Sequence, residues 1–251
     1  MKTTIAIPAR LASSRFPGKV LADLCGKPVI QWVYEAAQRA NIGGSIHILV
    51  DSKEVESVAK SFCDSVIMTS PDCHCGTARI VSALDKIDGD FVINIQGDEP
   101  LLDSKILAAV SEHAHTSSAD IVTPIFKITD AKDIWEPSLV KVAVCRDGRA
   151  LYFSRSPIPF LRGIERSKWL ENFQFFGHIG MYGYRRSVLE NYENLHESAL
   201  ELAESLEQLR FLDNGYTIDT IVVNSQTIGV DTPADLQSAI AHVNASQKQQ
   251  P

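Results

Sequence analysis

The sequence predicts an α/β protein with a doubly wound, mostly parallel sheet and a β-rich insertion. Three observations carry the prediction. Strand-like and helix-like segments alternate over roughly the first half of the chain. The strand-like runs are continuously apolar, as strands buried on both faces are. Polar loops able to hold a ligand follow those strands, where open α/β sheets bind ligands.

Thr3–Ile7 is a short apolar run that reads as the first buried strand. Pro8 stops it, because proline has no N–H for the ladder. Val29, Ile30, Val33, Ala36, Ala37 and Ala40 recur at helical spacing, and Gly43-Gly44 ends that helix. Ser45–Val50 is a second strand closing on Asp51. Val55, Val58, Ala59 and Phe62 mark a short amphipathic helix, and Ser65–Met68 a third strand. The polar loop Thr69–Gly76 leads into a helix carrying Ile80, Val81, Leu84 and Ile87. Phe91–Ile95 is a fourth strand, followed at once by Gln96-Gly97-Asp98-Glu99-Pro100. Ile106, Leu107 and Val110 mark the next helix, and Asp120–Ile128 the next strand. Arg10, the Thr69–Gly76 loop and Asp98 all follow strands, so they are expected to share one rim.

From about residue 130 the rhythm changes. Val140–Cys145 and Leu151–Phe153 predict strands joined by the turn Arg146-Asp147-Gly148-Arg149. Phe160–Phe173 reads as an irregular loop and Phe175–Tyr184 as a glycine-rich, aromatic strand. Helices are predicted over Ser187–Leu195 and Ala199–Leu212, then a last strand over Tyr216–Val223. Thr232-Pro233 opens a C-terminal helix, proline suiting the first helical position. The reading is of a single domain, 1–245, with a polar, frayed tail over 246–251.

The loop after the first strand is small and cationic. Ala9, Ala12, Ser13, Ser14, Pro17 and Gly18 surround Arg10, Arg15 and Lys19. Small residues let backbone N–H groups approach a ligand, and clustered cations attract an anion. From Met1 to Lys27 the basic residues are Lys2, Arg10, Arg15, Lys19 and Lys27, against one acid, Asp23, in a chain of net charge −7. A polyphosphate suits such a loop. The loop is neither a GxxxxGK[ST] phosphate loop nor a GxGxxG dinucleotide fingerprint.

With 45% hydrophobic and 22% charged residues the composition is that of an ordinary globular protein. The acidic balance argues against general nucleic-acid binding. No stretch approaches the roughly 20 apolar residues of a membrane span. The N-terminus does not read as a signal peptide, so a cytoplasmic protein is expected. Cys25, Cys63, Cys73, Cys75 and Cys145 show no disulfide-framework pattern. Cys73-His74-Cys75 has the wrong spacing for a structural zinc site and is expected to hold reduced thiols.

Seven segments in order resemble one family: IPARLASSRFPGK, GTAR (Gly76–Arg79), NIQGDEP (Asn94–Pro100), ALYFSRSPIP (Ala150–Pro159), HIGMYGY (His178–Tyr184), LEQLR (Leu206–Arg210) and GVDTP (Gly229–Pro233). Together they resemble the 3-deoxy-manno-octulosonate (Kdo) cytidylyltransferases, which form CMP-Kdo from CTP for lipopolysaccharide synthesis. The resemblance runs from about Thr3 to Ile240. It implies a nucleotide-diphospho-sugar-transferase-like fold, Mg²⁺ as cofactor and a homodimer, with the β-rich part at about 130–185 serving sugar binding and dimerisation.

In nucleotidyl transfer a sugar hydroxyl attacks the α-phosphorus and diphosphate leaves, so catalysis rests on positioning and charge neutralisation. Arg10, Arg15 and Lys19 suit the neutralisation. Asp98 suits Mg²⁺, which takes oxygen ligands, and the family pattern adds Asp231. The resemblance assigns CTP binding to Ala9, Arg10, Asp72, Gly76, Thr77, Arg79 and Gln96. It assigns the sugar acid to Gln96, Arg155, His178, Tyr182, Glu207 and Gln208, with Arg155 expected on the carboxylate. Plainer roles stand beside these. Asp98 suits a turn before Pro100, and Asp231 a cap for the helix at Pro233. His178 and Tyr182 suit packing, Glu207 and Gln208 a helix surface, and Arg155 a strand end. Where the family commonly reads D-H-x-S-G-T-E-R, this chain reads Asp72-Cys73-His74-Cys75-Gly76-Thr77-Ala78-Arg79. The alternative readings are a cytidylyltransferase for a related sugar acid, such as 8-amino-Kdo, and a catalytically silent nucleotide-binding protein.

Overall fold

The computed structural model describes residues 1–13, 15–224 and 229–247. Ser14 of the basic loop and residues 248–251 of the expected tail lie outside the described residues. The chain divides into two compact units, Met1–Ser111 with Thr227–Pro251, and Glu112–Gln226.

The first unit opens with β1 (Thr3–Ala9), a hairpin of β2 (Asp23–Leu24) and β3 (Lys27–Pro28), and α1 (Val29–Ala40). It continues through β4 (Ile46–Val50), α2 (Lys53–Ala59), β5 (Val66–Met68), α3 (Gly76–Val81) and β6 (Phe91–Asn94). α4 (Ser104–Thr116) then leads out of it. Its sheet runs β5-β4-β1-β6, and every pair is parallel. All four strands therefore end on one edge. Because β4 and β5 lie to one side of β1 and β6 to the other, the order reverses between β1 and β6. Such a switch point opens the crevice in which α/β sheets bind ligands.

Every residue of β1 is buried, as a continuously apolar run requires. Contrary to expectation Pro8 does not stop the strand: it gives up one N–H, but its carbonyl still accepts the Gly97 N–H at 3.1 Å and the pairing with β4 runs on to Ala9. The six apolar positions read as the inner face of α1 are all buried. Closing off a Val or Ile side chain contributes about 1.5–3 kcal/mol, so this face holds the helix to the sheet. α1 ends at Asn41, whose left-handed φ of 48° stops it before Gly43-Gly44. α3 is shorter than its apolar spacing suggests and gives way to a 3₁₀ turn at Leu84–Lys86.

The second unit holds β7 (Ile121–Lys127), α5 (Ala131–Trp135), β8 (Lys141–Val144), β9 (Ala150–Ser154), α6 (Trp169–Asn172), β10 (Phe176–His178) and β11 (Tyr182–Arg185). α7 (Arg186–Glu190), α8 (Ala199–Glu204), α9 (Gln208–Asp213) and β12 (Ile218–Val223) complete it. α10 (Pro233–Gln247) belongs to the first unit. β7 pairs in parallel with β12 along one edge. Along its other edge it pairs antiparallel with β10 and then β11, and β10 leads on to the β8–β9 hairpin.

Four expectations change here. The helix expected over Ser187–Leu195 ends at Glu190 and is followed by a 3₁₀ turn at Tyr192–Asn194. Phe175–Tyr184 is not one strand but two, interrupted at 179–181. The cause sits on the partner strand: Pro124 of β7 has no N–H to offer, and Met181 N–H turns back to the Ile179 carbonyl at 2.7 Å. Ala199–Leu212 is likewise two helices, because Ser205 takes a left-handed φ of 51°. The stretch Phe160–Phe173 is more regular than expected, with a 3₁₀ turn at Arg166–Lys168 followed by α6. Trp169 in that helix is buried and stacks on Phe175 with ring centroids 5.7 Å apart.

Lys141 lies in β8 with its side chain closed off from solvent. Burial lowers its pKa. The ammonium donates to the carbonyls of Glu136 at 2.9 Å and Leu139 at 2.7 Å, and to that of Arg155. It therefore ties the entry to β8 to the end of β9. Lys141→Met is expected to lower unfolding free energy by about 2–4 kcal/mol, because three main-chain carbonyls lose their shared donor. Denaturant titration checks this, and an unchanged midpoint contradicts it.

Candidate active site

The parallel edge of the first unit gathers the loops that follow its strands. A cavity there is walled by Pro8, Arg10, Lys19, Cys73–Gly76, Arg79 and Gln96–Asp98. Gly97 is required at this point. A Cβ on it would stand 2.8 Å from the Pro8 carbonyl, so only glycine lets the β6 loop lie against β1.

Lys19 is the centre of the charge arrangement. It is 6% exposed, and its ammonium pairs with Asp98 and with Asp231 Oδ1, the latter at 2.7 Å. Arg15 reaches Asp231 Oδ2 at 3.0 Å. Burial opposes the charge on Lys19, but the two carboxylates outweigh it and its pKa stands above the ordinary lysine value. Burial also opposes the charge on Asp231, and Lys19 and Arg15 outweigh that in turn, so its pKa is lowered.

Asp231 arrives from the far end of the sequence because its neighbours are anchored. Val230 is fully buried with Leu24, Val29, Ala239 and Val243, and its N–H donates to the Asp98 carbonyl at 2.8 Å. The cap of α10 is Thr232. Its Oγ1 accepts the Asp235 N–H at 3.2 Å, and Asp235 accepts the Thr232 N–H at 2.8 Å. Asp231 is therefore not the cap, and its carboxylate faces the two cations.

Glu99 adds a carboxyl whose Oε2 is buried without a hydrogen-bond partner among the described residues. Burial first, and then the charges of Asp98 and Asp231, push its pKa up to about 8. At neutral pH it stays mostly protonated and adds little negative charge to the pair.

Asp51 joins two of the rim loops and was read from sequence only as the end of a strand. Its Oδ1 accepts the Leu11 N–H at 2.9 Å, and its Oδ2 meets Arg79 at 3.4 Å. Arg79, 2% exposed, also donates to Thr69 Oγ1 at 2.6 Å and the Ser70 carbonyl at 3.1 Å. Arg79 thus braces the loop after β5 from within while lining the cavity. Thr77 is fully buried, and Cys75 caps α3 by accepting the Ala78 N–H at 3.2 Å. Asp72 is exposed and pairs with Ser70 Oγ, away from the cavity walls. Gln96 and Gly76 both line the cavity and lie close together, since a Cβ on Gly76 would stand 3.3 Å from Gln96 Nε2.

The second unit brings His178, Tyr182, Glu207 and Gln208 together. The Thr123 hydroxyl donates to the Met181 carbonyl at 2.7 Å, so its contact with His178 Nε2 at 2.9 Å must be a bond that the imidazole donates. His178 Nδ1 is then a lone-pair acceptor. Burial pushes the imidazole pKa down to about 3, so the ring is neutral. The Tyr182 ring lies tilted beside it at 5.1 Å, and burial, Tyr184 and Glu207 hold its phenol well above the ordinary range. Glu207 accepts from the Tyr192 hydroxyl at 3.0 Å. Gln208 is 5% exposed, and its Nε2 has no acceptor among the described residues.

Arg155, at the end of β9, is more heavily used than a strand-end arginine. Its guanidinium donates to the carbonyls of Glu204 at 2.8 Å, Pro137 at 3.1 Å and Ser205 at 3.4 Å. The Glu204 carboxylate accepts from Ser154 Oγ at 2.6 Å and from the Arg155 N–H at 2.9 Å. These bonds gather around Ser205, where α8 breaks from α9.

The cytidylyltransferase family model matches residues 4–221. The 3-deoxy-manno-octulosonate cytidylyltransferase of Parabacteroides distasonis is 43% identical over 247 residues, covering 96% of this chain and 98% of that one. This chain belongs to the cytidylyltransferase family. The enzyme of the same description from Escherichia coli is 42% identical over 240 residues, covering 96% of this chain and 95% of that one. A solved structure described as CMP:2-keto-3-deoxy-manno-octonic acid synthetase complexed with CTP matches with a TM-score of 0.91 at 41% identity, covering 98% of this chain and 100% of that one. A glucose-1-phosphate thymidylyltransferase from Bacillus anthracis, at 16% identity and a TM-score of 0.67, shares the fold over 96% of this chain and 94% of that one. This cytidylyltransferase is thus an α/β nucleotidyltransferase.

Proposed function

We propose that this cytidylyltransferase transfers CMP from CTP to the anomeric hydroxyl of Kdo and releases diphosphate. The observation that carries the chemistry is the clasp of Lys19 by Asp98 and Asp231 at the β1–β6 switch point. Two carboxylates that meet one ammonium converge on a place for a cation. Mg²⁺ prefers oxygen ligands and takes one or two carboxylates together with phosphate and water, so the donor set fits it. Asp98 and Asp231 would hold it. Bound there, Mg²⁺ would polarise the phosphate oxygens and stabilise the leaving diphosphate.

Arg10, Arg15 and Lys19 form the cationic side of the same rim and draw the triphosphate. Gln96 and the loop from Cys73 to Arg79 border the cavity expected to receive the nucleoside. On the sugar side, His178 Nδ1 offers an acceptor and Gln208 Nε2 a buried donor, both suited to sugar hydroxyls. A neutral imidazole with a pKa near 3 orients a hydroxyl and takes up no proton at neutral pH. The reading also carries the homodimer and the cytoplasmic setting that the resemblance implies. Among the described residues no helix is long and apolar enough to cross a membrane.

Arg155 is assigned to the Kdo carboxylate, gripping it with the part of its fork not turned to main-chain carbonyls. Arg155→Lys is expected to raise the Michaelis constant for Kdo by about tenfold or more while leaving that for CTP nearly unchanged, since an ammonium lacks the planar fork. Steady-state kinetics with each substrate varied in turn decides this. A change confined to thermal stability makes Arg155 a fastener of the β9–α8 junction and places the carboxylate elsewhere. Running the same assay with 8-amino-Kdo and other sugar acids tests the substrate. A higher kcat/KM for one of them would displace Kdo.

A further inference from the structure

Two thiols, Cys73 and Cys75, line the cavity that also holds the Arg10 and Lys19 side chains. Both are half-buried, and neither is in a disulfide. Cys73 Sγ donates to Ser82 Oγ at 3.6 Å. Cys75 Sγ accepts the Ala78 backbone N–H at 3.2 Å. The other three cysteines do not line this cavity, and Cys63 is buried with its thiol pushed up by that burial.

We propose that Cys73 and Cys75 make the nucleotide cavity a modification site for anionic low-molecular-weight disulfides, such as glutathione disulfide, with modification and CTP binding mutually exclusive. Thiolates are the nucleophiles of disulfide exchange. The cations that draw a triphosphate also concentrate an anionic disulfide beside the two sulfurs. The cysteine thiolate attacks one sulfur of the disulfide, and a protein–glutathione S–S bond forms as the glutathione S–S bond breaks. The departing glutathione thiolate takes up the proton that the cysteine released, so atoms and electrons balance. The adduct fills the cavity that Arg10, Gln96 and Gly76 line with a negatively charged peptide. Reduction by a dithiol reverses it.

This inference rests on the nucleotide reading of the cavity, and the test keeps the two apart. CTP affinity of the untreated, full-length protein is measured by calorimetry. The protein is then exposed to glutathione disulfide, with and without CTP, and the adducts are mapped by peptide mass spectrometry. Adducts are expected on the Cys73–Cys75 peptide ahead of those bearing Cys25 or Cys145. CTP at ten times its Kd should slow them about tenfold, since only the unliganded fraction reacts. The modified protein should lose measurable CTP binding, and dithiothreitol should restore it. Cys73→Ser and Cys75→Ser, each compared with its own untreated sample, identify which sulfur reacts, and the double variant should keep its own CTP affinity through the treatment. Modification confined to other cysteines, no protection by CTP, or an adduct that leaves CTP affinity unchanged would each overturn the proposal. Untreated protein that binds no CTP would instead overturn the nucleotide reading beneath it.

Discussion

Asp98→Asn is expected to lower turnover by about two to four orders of magnitude while CTP still binds, a loss of roughly 3–5 kcal/mol of transition-state stabilisation. The amide keeps the shape of the side chain and its place against Lys19, but it removes the charge assigned to Mg²⁺. Charge on the phosphates grows as diphosphate departs, so the missing carboxylate should weigh more on kcat than on nucleotide affinity. Rates at saturating CTP and Kdo across a Mg²⁺ titration, with CTP affinity measured separately, check this. Near wild-type turnover at saturating Mg²⁺ would remove Asp98 from the metal site.

Lys19→Ala is expected to weaken CTP binding by about ten- to a hundredfold and CMP binding much less, because only the triphosphate has β- and γ-phosphates to lose a cation. Lys19 is nearly buried and meets Asp98 and Asp231 at once. Removing it leaves two carboxylates facing each other, with Arg15 still paired to Asp231. That repulsion costs some stability, moderated by solvent around the half-exposed Asp231. The ratio of the two nucleotide affinities separates the phosphate contact from this general cost. Calorimetry with both nucleotides at saturating Mg²⁺ decides it, and an equal loss for CTP and CMP contradicts the assignment.

What could be read from the sequence was what neighbouring residues determine. Continuous apolar runs placed β1, β4 and β6, and helical spacing gave the buried face of α1 residue by residue. The shared rim followed from topology, since parallel strands end on one edge and Arg10, Cys73–Gly76 and Asp98 do line one cavity. What could not be read depends on partners distant in sequence. The break between β10 and β11 is caused by Pro124 in another strand, visible in the sequence but with no sign of which strand it would face. The role of Lys141 has no signal in the sequence, because nothing local announces the three carbonyls that accept from its ammonium. Asp51 looks like a strand end, and only the fold reveals that it joins Leu11 to Arg79. Asp231 was ambiguous between cap and ligand until Thr232 and Asp235 were seen to make the cap themselves.

The most direct test of nucleotidyl transfer at the Asp98–Lys19–Asp231 cluster is diphosphate release from CTP by the purified protein. It is followed with Mg²⁺ and Kdo present together and with each omitted in turn, and the nucleotide product is identified by mass spectrometry. Release that requires both, with CMP-Kdo formed in equal amount, is the predicted result. Release without the sugar acid, or no release at saturating CTP, Mg²⁺ and Kdo, would contradict it.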